Sequence, residues 1–363
     1  MKPVALGVIG CGVIGRHHLA AASQWPMIRV VAVADLIEDK GREMADQYGI
    51  PKRYVEGADL LEDPEIKAVV LAFPVVGRFP LAMKAFRKGI HVLTEKPVAM
   101  NAGEVRRMIA GRGDLVAGCC SSRYRFLPSA DAVTQFIATG ALGKLRVIRA
   151  RNISAAGAPP TSPPPTWRLR KAENGGGILM NWGCYDLDYL LGITGWSLKP
   201  RTAFAQTWTL PDHYASRATP NSDAETHLTA LIRCEGGPAI TYERGEFVAS
   251  RAEGAWQIVG SWGTLQLRMT TEQEKIIAFD RADGERGVVP EIIWQGEEDA
   301  SRVHAGPVQD FCAAIREGRQ PKTGLEQALV VQQISDAIYR SAQLGQAVEV
   351  KVDEVRIHEL FLS

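Results

Sequence analysis

Six residues near the start of the chain constrain its fold more than any others. Gly10, Cys11, Gly12, Val13, Ile14 and Gly15 follow directly on an apolar, β-branched run at residues 4–9 and open into an amphipathic stretch. A GxGxxG turn between a strand and a helix uses its first glycine for a tight turn, its second so that backbone can approach a pyrophosphate, and its third for close helix packing. The next apolar run ends in Val33, Ala34 and Asp35, and Asp35 lies 20 residues beyond Gly15. A carboxylate there accepts from both ribose hydroxyls of an adenosine and repels a 2′-phosphate. The pattern predicts a dinucleotide site that favours NAD over NADP, although Lys40 and Arg42 lie just downstream and can lean toward a phosphate.

At 363 residues the chain exceeds what one hydrophobic core usually serves, so two domains are expected. From residue 3 to about 120, strand-like runs at 4–9, 29–34, 68–73, 91–94 and 115–119 alternate with helical patterns such as 37–48, 80–88 and 102–110. This is the signature of βαβ units, and it predicts an α/β Rossmann domain with a doubly wound parallel sheet over residues 1–121. Beyond residue 121 the texture changes to longer alternating segments at 145–153, 202–209, 227–234 and 256–267. These predict an α+β domain over 122–363 with a large, mostly antiparallel open sheet. The proline-rich stretch 158–166 reads as a long loop, and helices at 307–317 and 325–344 precede a last strand near 347–350.

Composition excludes several classes of function. A hydrophobic fraction of 46% with 23% charged residues is ordinary for a globular chain, and a net charge of +1 provides no field for holding a nucleic acid. No apolar run is long enough to span a bilayer, and the apolar start of the chain, broken by glycines and by Arg16, His17 and His18, fails as a secretory leader. The six cysteines show no CxxC pair or zinc-like spacing, so reduced thiols, a cytoplasmic location and no metal are expected. Cys119 and Cys120 fall in an apolar run and read as small core residues.

Two further stretches carry chemistry. The strand at 91–94 runs into Thr94, Glu95, Lys96 and Pro97, which places a lysine at the carboxyl end of a parallel strand, where doubly wound sheets bind ligands. A lysine there, partly desolvated and beside a nicotinamide, can take the proton released when an alcohol loses a hydride. The second stretch begins at Gly175, Gly176 and Gly177, which let backbone approach a ligand, and continues with helical periodicity that sets Asn181, Tyr185 and Asp188 on one face.

The first stretch resembles the EKP motif of the glucose-fructose oxidoreductase, inositol dehydrogenase and MocA family, and residues 175–188 are similar to that family's GGGxLxDxGxHxxD. The resemblance extends through Phe73 and Pro74, the run Arg123, Tyr124, Arg125 and Phe126, the pair Trp167 and Arg168, and residues 338–342, so it spans nearly the whole chain. It implies a hydride transfer between NAD and a secondary alcohol or ketone of a sugar, sugar derivative or cyclitol. Phe73, Pro74, Glu95 and Lys96 are implied at the cofactor, and Lys96, Arg123, Trp167, Arg168, Asn181 and Tyr185 at the substrate. The chain departs from the family where Asn181 stands for the usual aspartate and Tyr185 for the usual histidine. Asparagine carries no proton at useful pH, so Lys96 and Tyr185 are expected to share the acid/base work while Asn181 positions substrate. A packing role for Tyr185 stays open, Asp188 is an orienting or structural residue, and the lone His227 is assigned no role. Two other readings remain: an NAD-dependent glycoside-cleaving enzyme that oxidises transiently, and a non-catalytic NAD-bound sensor. A homodimer or homotetramer formed through the C-terminal sheet is expected.

Overall fold

A computed structural model describes residues 2–162 and 164–352; Met1, Pro163 and residues 353–363, all within the expected spans 1–121 and 122–363, lie outside the described residues. The chain divides into two compact units, Met1–Arg123 with Ser301–Leu329, and Tyr124–Ala300 with the chain from Val330 onward. The division differs from a single boundary after residue 121 because a late segment returns to the first unit. Its helix Ala305–Glu317 buries Val308, Phe311 and Cys312 in one cluster with Leu19 and Ala22 of the first helix.

The first unit runs β1 (Val4–Ile9), α1 (Val13–Ser23), β2 (Ile28–Ala34), α2 (Glu38–Tyr48), β3 (Lys52–Tyr54), α3 (Gly57–Leu60), β4 (Ala68–Leu71), α4 (Arg78–Arg87), β5 (His91–Thr94), α5 (Ala102–Gly111) and β6 (Ala117–Cys119). Its six strands are all parallel, in the order β3-β2-β1-β4-β5-β6. Period-two alternation sends Val4, Leu6 and Val8 into one core and Ala5 and Ile9 into the other, which is why a near-continuous apolar strand is needed between two helical layers. Strand order reverses between β1 and β4, and ligands of such sheets bind at that edge. β3 was not foreseen: three residues, two of them basic, carry no strand signal.

The second unit runs α6 (Pro128–Ala138), β7 (Leu145–Ala155), α7 (Lys171–Asn174), a π-helical turn (Leu179–Gly183), α8 (Cys184–Ile193), β8 (Pro200–Thr209), β9 (Glu225–Cys234), β10 (Ala239–Val248), β11 (Glu253–Gly260), β12 (Gly263–Gln266), β13 (Lys275–Asp283) and β14 (Gly287–Gly296), followed by the helix Leu325–Leu344 from Val330 onward, its start through Leu329 belonging to the first unit, and by β15 (Val348–Glu349). The nine strands form one sheet, β14-β13-β12-β11-β7-β10-β9-β8-β15, in which only the β7–β10 pair is parallel. The segment expected as one strand at 256–267 is a hairpin that turns at Ser261 and Trp262. The described part of 158–166 forms no strand or helix. One sheet face buries Ile148, Ala150, Ile232, Ile240 and Tyr242, and every residue of α8 is buried as well. The other face leaves Phe204 and Leu231 exposed, so the alternation read from sequence is that of a sheet covered on one side.

A buried ion pair ties this unit together. Lys275 donates 2.8 Å hydrogen bonds to Glu298 and to the Ser129 hydroxyl, and Glu298 also accepts from the Ser129 N–H. Burial pulls the Lys275 ammonium below its usual range against the raising effect of Glu298. Among the described residues no helix is long and apolar enough to cross a membrane. Lys275→Met alone is expected to cost about 3–5 kcal/mol, because it strands the Glu298 charge in the core. Denaturant titration checks this, and Lys275→Met/Glu298→Gln should recover part of the loss; equal midpoints for wild type and the single variant would refute the latch.

Candidate active site

The parallel strands of the first unit end at one edge, and the residues expected at a nucleotide follow them. Gly10 adopts φ = 96°, a left-handed conformation that side chains disfavour, and a Cβ there would press on the Ala72 carbonyl. A Cβ on Gly15 would strike the Gly10 carbonyl, so helix α1 can close on the turn only through glycine. At Gly12 a Cβ would meet nothing within 4 Å: the backbone there borders open space, as a pyrophosphate at the helix N-terminus requires. Val13 is exposed beside it, while Ile14 packs partly into the core.

Asp35 is locked by two backbone donors, Cys11 N–H at 2.7 Å and Ile37 N–H at 2.8 Å. Each oxygen keeps acceptor capacity for a ribose hydroxyl. Burial, with the Asp35 charge added, pushes the Cys11 thiol up to about 12, so it stays a protonated core residue. A cavity of about 630 Å³ opens here, lined by Gly10, Asp35, Ile37, Gly57, Phe73 and Pro74 among others. Exposed Leu36 and Ile37 supply apolar surface for an adenine, and Arg42 is engaged by Asp39 at 2.6 Å. An open glycine turn, an anchored acid and an apolar-walled cavity together fit the adenosine and pyrophosphate of NAD.

The loop after β5 carries Lys96, and its peptide to Pro97 is cis. It is held by a residue with no motif signal, Arg78, which is only 6% exposed. The Arg78 guanidinium donates to the carbonyls of Phe73 (2.6 Å), Glu95 (2.6 Å) and Pro97 (2.5 Å), clamping the loops after β4 and β5. The Glu95 carboxylate is engaged inside the protein: His18 Nε2 lies 2.9 Å from one oxygen, and the Lys96 N–H donates to the other. Burial raises the Glu95 carboxyl, but the His18 hydrogen bond and the charges of His18, Arg123 and Lys96 outweigh it and hold it well below the usual carboxylate range. His18, Glu95 and Cys120 bring three potential ligand atoms within 4.8 Å of one another, a grouping invisible in the cysteine spacing. Arg123 donates to His304 Nδ1 at 2.9 Å, and the His304 ring stacks on His17. Burial, then the Arg123 and His17 charges, pull His304 down to about 3, so it is a neutral acceptor. Lys96 itself is half-buried.

In the second unit the glycine run packs against protein. A Cβ on Gly176 would strike the Tyr339 hydroxyl, and one on Gly177 the Glu225 backbone. The expected close approach is therefore to the chain itself. Glu225 accepts from Gly177 N–H (2.9 Å), Leu179 N–H (3.0 Å) and Tyr339 OH (2.8 Å), capping the segment that follows. Burial nonetheless raises its carboxyl above the usual range. Asn181 lies in a π turn, residues 179–183, in which the Cys184 N–H reaches back to Leu179 O, and Tyr185 follows in α8. Such turns re-aim side chains and recur at functional sites. Tyr185 is 1% exposed, and its ring meets Tyr124 and Trp182 edge-on at 5.6 Å. Asp188 pairs with Arg125 at 3.1 Å in the core, which accounts for it structurally. Trp167 is half-buried, and Arg168 pairs with Glu246. Asp186, Arg244 and Glu246 were missed because single acids and bases in a strand or helix announce nothing locally.

Comparison with known proteins matches residues 4–111 to the oxidoreductase family with an NAD-binding Rossmann fold, and residues 131–266 to the GFO/IDH/MocA C-terminal domain. A 1,5-anhydro-D-fructose reductase of Ensifer adhaerens is 26% identical over 95% of this chain and 98% of its own. A myo-inositol 2-dehydrogenase of Thermotoga maritima is 25% identical over 77% of this chain and 79% of its own. A levoglucosan dehydrogenase solved with NADH and L-sorbose superposes with a TM-score of 0.83 at 21% identity, over 97% of this chain and all of that one. Asp35→Asn is expected to weaken NADH binding by about 10-fold and to narrow the preference over NADPH by a similar factor. Fluorescence titration with both nucleotides checks it; an unchanged ratio would remove Asp35 from cofactor choice.

Proposed function

Because the chain belongs to the GFO/IDH/MocA oxidoreductase family, with an NAD-binding Rossmann domain at its N-terminus, we propose that it moves a hydride between nicotinamide and a secondary alcohol or ketone of a sugar, sugar derivative or cyclitol. The observation that carries this reading is Lys96, set by the Arg78 clamp at the same sheet edge as the open glycine turn. Bound NAD supplies the hydride acceptor or donor. Lys96 takes the hydroxyl proton as the carbonyl forms and returns it in reduction, and Tyr185 shares that work through its phenol. Asn181 orients a substrate hydroxyl without exchanging its proton. The relatives named for anhydrofructose reduction and inositol oxidation support the substrate class.

Lys96→Met is expected to lower kcat by about 100-fold to 10,000-fold with NADH affinity little changed, and Tyr185→Phe by about 10-fold with an altered pH profile. Both are read from NADH fluorescence across a panel of anhydrosugars, sugars and cyclitols. Net NADH formation supports the dehydrogenase, whereas sugar release from glycosides without net NADH identifies the glycoside-cleaving alternative. Binding of NAD with neither outcome identifies a sensor.

The second unit is also the proposed assembly surface. The outer face of its sheet exposes Phe204 (53%), Trp208 (45%) and Leu231 (43%), an apolar patch that a second copy would cover to give a homodimer or homotetramer. Leu231→Arg is expected to shift the protein to monomer in sedimentation velocity; an unchanged mass moves the interface elsewhere.

A further inference from the structure

Residues on the inner face of β10 form a polar cluster that the hydride-transfer scheme does not use. Tyr242 and Arg244 are spaced two apart on the regular part of the strand and lie on one side of it, and Glu246 follows where the register with β7 shifts. The Tyr242 hydroxyl donates to Asp186 at 2.8 Å, Arg244 pairs with the same carboxylate at 3.3 Å, and the Arg244 guanidinium stacks 4.5 Å above the Trp182 ring. Trp182 in turn meets the Tyr185 ring, so the cluster adjoins the candidate acid/base residue. Arg168 pairs with Glu246, and Asn174 ties the Arg168 carbonyl to that of Gly176.

Two atoms in this cluster lack partners. Glu246 Oε1 and Arg244 Nε are both buried with no hydrogen bond among the described residues, and the two residues are 9% and 4% exposed. One is an acceptor and the other a donor. Buried polar groups in folded chains are nearly always satisfied, so an acceptor and a donor left open in one cluster point to a group that supplies both. A hydroxyl does so. Charge narrows the choice further: Arg168 is matched by Glu246 and Arg244 by Asp186, so neither arginine of this cluster is left over for a carboxylate. Burial raises the Glu246 carboxyl even though Arg168 and Arg244 oppose it, so a further anion beside it is disfavoured.

We propose that Glu246 and Arg244 are a paired acceptor and donor for the hydroxyls of an uncharged polyol, and that Glu246, by occupying Arg168, makes the site reject acidic sugars. This rests on the polyol oxidoreductase reading above and deepens it by assigning the charge class of the substrate and residues that select it. Glu246 is a specificity-determining residue that holds hydroxyls away from the reacting carbon.

The test is calorimetric titration of NADH-loaded protein with levoglucosan, myo-inositol, 1,5-anhydro-D-glucitol and D-gluconate, with NADH affinity measured alongside. Wild type should bind at least one neutral polyol and bind D-gluconate weakly. Glu246→Gln should weaken the neutral polyol by about 10-fold or more and strengthen D-gluconate by a similar factor, with NADH affinity unchanged, because Arg168 is released. Glu246→Asp keeps the charge and withdraws it by one methylene; it should lose polyol affinity without gaining D-gluconate, which a purely structural role would not produce. Unchanged polyol affinity in both variants, D-gluconate binding as tight as the polyols in wild type, or no polyol binding by wild type would each overturn the subsite. Polyol binding that responds to Glu246 without NADH-linked turnover would overturn the oxidoreductase reading and leave the subsite standing.

Discussion

One guanidinium organises the edge of the first unit at which its parallel strands end. Arg78 sits at the start of α4 and gives its donors to three main-chain carbonyls from two different loops. Those loops hold Phe73 and Pro74 on one side and Glu95, Lys96 and Pro97 on the other. Loops at strand ends have few ladder hydrogen bonds of their own, so a buried cation with several fixed donors replaces what the sheet no longer supplies. Beneath it, His18 holds the Glu95 carboxylate, which in turn accepts from the Lys96 N–H. The position of the lysine backbone is thus set by a chain of buried polar contacts.

The second unit solves the corresponding problem with a carboxylate. Glu225, at the start of β9, caps the segment after the glycine run through two N–H donors and a tyrosine hydroxyl. That cap is where a negative charge best complements a helix start. It fixes the entry to the π turn that carries Asn181, and the absence of side chains at Gly176 and Gly177 is what lets Tyr339 and the Glu225 backbone come so close.

What the sequence disclosed and what it hid follow from the range of the interactions. The glycine turn, Asp35 and the parallel strands were legible because their signals are local: a strand end, a fixed count of residues, an apolar period. The open antiparallel sheet was legible from alternation, although its hairpin at Ser261 was not, since serine and tryptophan are weak turn signals. Arg78, His18, Glu225 and Glu246 were hidden because each acts across the fold; His18 and Glu95 are 77 residues apart, and Gly177 and Glu225 are 48 apart. The π turn that carries Asn181 was hidden for a different reason, since period counting cannot detect the extra backbone it inserts.

The late return of the chain to the first unit has a consequence for how this protein can be recombined. Leu19 and Ala22 of α1 share their core with Val308, Phe311 and Cys312, and the Gly118 strand edge bridges to Gly324. A nucleotide-binding module excised at residue 123 would leave that apolar surface bare and that edge unsealed. A chimera that exchanges the cofactor half must therefore transplant two separated pieces of gene.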